Sequence, residues 1–248
     1  MKETKNKTLL IDADMVLYRS VCAAEQEMRW DDDIWTLQTN MSEAKAEVDN
    51  QLSTITQRLK SDDILLLFSP KRTFRHDLFP SYKANRSSKR KPLGIGELKE
   101  WMMEEYPSQM YPNIEADDAI GIMCTQDPEN SIAVSGDKDF GTLPITWYNH
   151  QKEVLITTPE STANYFHFLQ SLTGDATDGF GGLKGCGPRT AEKLLEKNGA
   201  TWKTVVDAYE AKGQTAEDAL LTARLARILR AGDYNTETNE VTLWQPEG

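Results

Sequence analysis

Three short apolar runs stand out along the chain: residues 8–13 (T-L-L-I-D-A), 64–68 (I-L-L-L-F) and 131–135 (S-I-A-V-S). None alternates polar with apolar, so each reads as a strand covered on both faces. Between the first two, residues 16–60 read as one long helical region with a break at Asp31-Asp32-Asp33. Helical periodicity returns at 98–106, ended by Pro107, and at 116–125. Residues 145–149 and 153–157 flank Gln151-Lys152 as the arms of a hairpin. From Pro159 onward the pattern is mostly helical, interrupted by the glycine-dense turn G-D-A-T-D-G-F-G-G-L-K-G-C-G. Residues 241–244 read as a short closing strand.

Strands alternating with helices predict an α/β fold with a mainly parallel central sheet flanked by helices. The change of pattern near Pro159 divides the chain into an α/β core, 1–158, and a helical region, 159–248, packed on it. In parallel sheets, ligands gather beyond the carboxyl ends of the strands. Asp12 lies at the end of the first run, and Asp137 and Asp139 follow the third.

Composition narrows the class. The chain has 248 residues, 39% hydrophobic and 27% charged. It has no apolar run long enough to cross a bilayer and no signal-peptide pattern at the start. Three scattered cysteines, Cys22, Cys124 and Cys186, read as reduced thiols in a cytosolic protein. The net charge of −11 argues against a protein that coats nucleic acid. Its distribution argues otherwise: residues 71–91 hold eight Lys and Arg against one acid, Asp77.

The acids fall in clusters where strands end or helices begin: Asp12 and Asp14; Glu115, Asp117 and Asp118; Asp137 and Asp139; Asp175 and Asp178. Each cluster alone has an ordinary reading as a helix cap or a complement to a helix dipole. Together on one sheet edge, so many carboxylates cannot remain ionised without cations. Oxygen donors with only three scattered histidines select Mg²⁺ or Mn²⁺ over zinc. Two such ions activate a water and stabilise a leaving oxygen in phosphodiester cleavage. The glycine turn, with Pro188 opening the next helix, offers backbone N–H groups to a phosphate. D-x-D at Asp12–Asp14 also fits a phosphatase of the haloacid-dehalogenase type, which leaves the other acids without a task.

Over nearly its whole length the chain resembles the 5′ nuclease family, the flap endonucleases and phage 5′→3′ exonucleases. The resemblance is carried in order by L-L-I-D, F-R-H-D-L-F-P-S-Y-K-A-N-R, E-A-D-D, S-G-D-K-D-F and G-D-A-T-D-G-F-G-G-L-K-G-C-G. It implies a PIN-like nuclease core with a basic arch at about 71–92 and a helix–hairpin–helix-type DNA-binding motif at about 174–197. It implies metal positions lined by Asp12, Glu115, Asp117 and Asp118, and by Asp137, Asp139, Asp175 and Asp178. Lys83 and Arg86 would meet the scissile phosphate, and Asp12, Asp118 and Asp137 would serve the chemistry. Arg75, Tyr82, Lys89 and Arg90, with Gly182, Lys184, Gly185, Gly187, Arg189 and Thr190, would contact DNA, with K⁺ at the glycine hairpin. The implied substrates are duplex DNA with 5′ ends, nicks or flaps, and RNA–DNA hybrid. The implied setting is a monomer in the host cytoplasm, acting in phage DNA replication, recombination or host DNA degradation. The chain departs from the family at Ser69-Pro70, where an aspartate is expected. Asp14 would stand in for it if the first strand ran on past Asp12. A non-catalytic DNA-binding relative is the alternative that this departure favours.

Overall fold

The computed structural model describes residues 7–246. Its centre is a six-stranded sheet in the order β5-β4-β1-β6-β7-β8. The strands are β1 (Thr8–Asp12), β4 (Ile64–Leu67), β5 (Ser108–Gln109), β6 (Ser131–Val134), β7 (Thr146–Asn149) and β8 (Val154–Thr157). All neighbouring pairs are parallel except β7 and β8, which form the antiparallel hairpin expected around Gln151. Helices cover both faces, which is why the strands carry no alternation. Leu9 and Ile11 of β1 face α1 (Ala13–Ala24), α2 (Met41–Leu59) and α4 (Ile95–Glu105). Leu10 faces the other way, towards α5 (Ala116–Gln126) and the C-terminal residues Ile228 and Leu229. The parallel α/β architecture read from the sequence is the one observed.

The single helical region expected over 16–60 is in fact two helices separated by an antiparallel hairpin, β2 (Glu25–Arg29) and β3 (Trp35–Thr39). Asp31–Asp33 form its turn. Both faces of the hairpin are largely exposed, including Trp30, Ile34 and Trp35, so its sequence lacks the contrast that reveals a half-buried strand. Asn40 then starts α2 by accepting from the amides of Ser42 and Glu43. The basic segment holds a short helix, α3 (Phe74–Leu78), and a 3₁₀ turn at Ala84–Arg86.

The C-terminal region contains α6 (Glu160–Thr173), a two-stranded ribbon of β9 (Gly174–Asp175) and β10 (Phe180–Gly181), α7 (Pro188–Asn198), α8 (Trp202–Glu210) and α9 (Ala216–Ala226). Leu172, Leu183, Leu195, Val205 and Tyr209 form its own apolar centre. The expected closing strand at 241–244 is not part of the main sheet. Glu240–Val241 (β12) pairs with Tyr234–Asn235 (β11) in a separate ribbon. Among the described residues the three cysteines are free, and no helix is long and apolar enough to cross a membrane.

Candidate active site

The carboxyl ends of β1 and β6, which are hydrogen-bonded neighbours, open into a cleft of about 910 Å³. The start of α5, the basic segment and the β9–β10 loop complete its walls. Asp12 ends β1 and is 5% exposed. Its Oδ1 accepts from the Met15 amide at 3.3 Å and so starts α1. Its Oδ2 accepts from the Ser135 hydroxyl at 3.0 Å. Burial, then Asp14 and Asp137, push its carboxyl up to about 7. Asp117, in the first turn of α5, is shifted well upward by burial and by Asp12, Asp137 and Glu115. Asp139 rises to about 6 through burial and Asp137, while Gln170 of α6 donates to its Oδ2 at 3.0 Å. Among the described residues no ion pair reaches Asp12, Asp117, Asp137 or Asp139.

The opposite wall is neutralised. Lys83 Nζ lies 2.6 Å from Glu115 Oε1 and 3.8 Å from Asp178 Oδ2. Arg86 pairs with Asp178 Oδ1. The Tyr82 hydroxyl donates to Asp178 at 2.9 Å and reaches Glu115 at 3.1 Å. Burial alone would raise the Glu115 carboxyl, but Arg75 and Lys83 outweigh it and the net shift is downward. For Asp178 burial wins over Lys83 and the net shift is upward. The basic segment is also stitched to the β9–β10 loop through its backbone. The Lys83 amide donates to the Asp178 carbonyl at 2.8 Å, holding Lys83 at φ +56°. Asn85 donates to the carbonyls of Ala176 and Thr177.

Several residues expected at the working surface lie elsewhere. Asp118 is fully buried and binds Arg75 in a fork, at 2.6 and 2.8 Å, so it faces away from the cleft. Arg75 lines the cleft but is only 3% exposed, with its guanidinium spent on Asp118 and on backbone carbonyls. Tyr82 is likewise buried, its ring against Phe180 and its hydroxyl committed to two acids, so it offers no stacking face. Asp175 accepts from the amides of Thr177 and Asp178 and shapes the loop, the turn-cap role open to it from the start. A Cβ on Gly182 would strike the Leu172 carbonyl and the Gly174 amide, so that glycine serves close packing. Arg90 forks onto Glu25 at the base of the β2–β3 hairpin. Lys184, Gly185, Gly187, Arg189 and Thr190 are exposed together at the start of α7, with Gly185 at φ +70°. Lys89 is exposed on the basic segment.

Asp14 is not on an extended strand, because α1 begins at Ala13. Its carboxylate still reaches the departure from the family, accepting from the Ser69 amide at 2.9 Å. Ser69 itself caps α5, its hydroxyl accepting from the Ala116 amide at 3.0 Å. Ser135 and Gln170 also belong to the site. Ser135 was visible as the polar end of an apolar strand, whereas Gln170 carries no signal on an ordinary amphipathic helix.

Residues 7–167 match the family model described as the 5′–3′ exonuclease, N-terminal resolvase-like domain. The chain is 27% identical to the exonuclease of Escherichia phage T7, over 96% of this chain and 93% of that one. It is 28% identical to the exodeoxyribonuclease of Enterobacteria phage T3, over 96% and 92%. A solved structure of the T5 5′-exonuclease with bound divalent metal ions (zinc) superposes with a TM-score of 0.68. It covers 89% of each chain at 15% identity, a likeness of fold. The matched segment holds β1, the basic segment, α5 and β6, which between them build most of the cleft. The chain therefore belongs to the 5′–3′ exonuclease family.

Proposed function

We propose that this 5′→3′ exonuclease hydrolyses phosphodiesters near the 5′ ends of duplex DNA, with divalent cations held by Asp12, Asp117, Asp137 and Asp139. The observation that carries the reading is the gathering of Asp12, Asp117, Asp137 and Asp139 at one end of the sheet with no ion pair to any of them among the described residues. Asp12, Asp117 and Asp139 are pushed upward by burial and then by neighbouring carboxylates. Such a set fits hard cations. Among the described residues no three candidate ligands already surround one point, so binding would draw these side chains together. Mg²⁺ or Mn²⁺, as two ions, would supply Lewis-acid polarisation of the phosphate and a more acidic water.

The chain's own groups do the rest. Lys83 and Arg86 would offset negative charge building on a bound phosphate, and their pairing with Glu115 and Asp178 keeps them at the cleft. Ser135 and Gln170 each donate one hydrogen bond, to Asp12 and Asp139, that orients these carboxylates before a cation binds. The exposed start of α7, with Lys184, Gly185, Gly187, Arg189 and Thr190, would present the backbone of its two glycines and the cations of Lys184 and Arg189 to duplex backbone. K⁺ would share that turn. Residues 1–158 act as the catalytic core and 159–248 as the duplex-binding region, in a monomer of the host cytoplasm. Flap cutting and cleavage of RNA–DNA hybrid belong to the same proposal, since the same carboxylates serve them, and the T3 relative's name supports DNA as the main substrate.

The test uses 5′-labelled duplex, nicked, flap and RNA–DNA substrates with Mg²⁺, with and without chelator. Release of short 5′ products that stops on chelation is expected. Phosphate release from a small monoester with intact DNA would overturn the reading in favour of a phosphatase.

A further inference from the structure

The pair of Arg75 and Asp118 is left without a task by the cleft chemistry, yet it is the most connected polar feature of the interior. Beyond its fork onto Asp118, the guanidinium donates through Nε to the Leu225 carbonyl at 3.0 Å. Its Nη2 also donates to the Arg227 carbonyl at 2.5 Å. Asp118 in turn accepts from the Leu229 amide at 3.1 Å and the Glu115 amide at 3.0 Å. The pair thus joins three segments: α3 at the root of the basic segment, the start of α5, and the strip 225–229 that spans the end of α9 and the residues after it. On the cleft side, Arg75 Nη1 lies 3.5 Å from Glu115 Oε2, the acid that also holds Lys83 and Tyr82. At the far end α9 reaches the β9–β10 ribbon, where the Thr222 hydroxyl, shared with the Asp218 carbonyl at 3.0 Å, approaches the Gly181 carbonyl at 3.4 Å.

A buried ion pair is poor evidence for stability, because desolvation costs about as much as the attraction returns. Here the remaining donors and acceptors are divided between backbone of the C-terminal strip and Glu115 at the start of α5. Apolar residues could hold helices together as well; they could not fix the angle of that strip to the acid that lines the cleft. Hydrogen-bonded networks joined to rigid elements are one physical means of carrying such coupling.

We propose that Arg75 and Asp118 are positioning residues that set the register of cleavage. They fix the distance between the ribbon and α7, which hold the duplex, and the carboxylates, which meet the scissile phosphate. The inference rests on the nuclease reading and adds to it which phosphate is cut.

The test is single-turnover cleavage of a 5′-labelled duplex by Arg75→Lys and Asp118→Asn, read as product length and rate, beside duplex affinity and Tm. Thr222→Val tests the remote end of the same network. Wild-type protein must first give its own dominant cut; no cut at all would defeat the nuclease reading and leave the register question unasked. With a wild-type cut in hand, the lysine and asparagine variants should bind duplex within about twofold. They should also spread their products over adjacent positions and cleave up to about 10²-fold more slowly, as expected for misplacement on the ångström scale. Thr222→Val should shift the product ratio with little change in rate. If Arg75→Lys does not fold, Asp118→Asn and Thr222→Val decide. A single unchanged cut position in folded variants overturns the proposal, whether or not the rate falls.

Discussion

Across one cleft, two sets of acids are treated in opposite ways. Glu115 and Asp178 lie among Lys83, Arg86, Tyr82 and Arg75, each held by a cation or a hydroxyl. Asp12, Asp117 and Asp137 have chiefly one another, and Asp12 and Asp117 are pushed upward by that company and by burial. The difference shows what each wall is for. The first wall has its countercharge built in, which anchors the basic segment against the β9–β10 loop. Among the described residues the second wall has no such countercharge, which is what the proposed cations from solution would supply.

The strongest way to break this comparison is Asp117→Asn. In chelator it should raise Tm by a few degrees, since a buried uncompensated charge is gone. With Mg²⁺ it should cut the rate of hydrolysis by roughly 10³-fold, the order seen when one electrostatic contributor to a transition state is removed. Stability lost rather than gained in chelator would mean that Asp117 already has its partner. Arg75→Ala works on the other wall and should destabilise by about 3–5 kcal/mol, because Asp118 is left buried and unpaired. Urea denaturation measures it, and a loss below about 1 kcal/mol would refute the description of that wall. Lys83→Ala should slow single-turnover cleavage by about 10²-fold while leaving duplex affinity nearly unchanged. An unchanged rate would confine Lys83 to anchoring Glu115.

A smaller effect sharpens the contrast through pH. A carboxyl whose folded pKa lies above its unfolded value near 4 gains a proton on folding in the interval between them. Its favourable contribution is complete at low pH and is lost as pH rises through the folded value. With Asp12 at about 7 and Asp139 at about 6, chelated protein should melt several degrees lower at pH 8 than at pH 5. Mg²⁺ should remove much of that slope. A Tm that rises with pH in chelator would contradict the uncompensated wall.

How far the sequence went follows from the physics of each element. The interior strands were legible because burial on both faces leaves an unmistakable apolar run. The edge acids were legible because strand ends and helix starts have local signatures. The β2–β3 hairpin was hidden because a projecting ribbon has no buried face to mark it. Asp118 was misread for a related reason. Its spacing from Glu115 correctly puts both acids within reach of one group, and that group is Arg75, 43 residues away along the chain. Only the fold reveals that the two acids share an internal arginine. Arg75 and Tyr82 were drawn to the DNA surface by their basic neighbours for the same reason. Local charge density does not report which side chain of a cluster turns inward.

The central claim is that cations occupy the uncompensated wall. The most direct measurement is the anomalous-scattering map of crystals soaked in Mn²⁺. The account predicts density among Asp12, Asp117 and Asp137, with Lys83 still on Glu115. Density confined to the space between Glu115 and Asp178, with Lys83 displaced and the three aspartates bare, would contradict it.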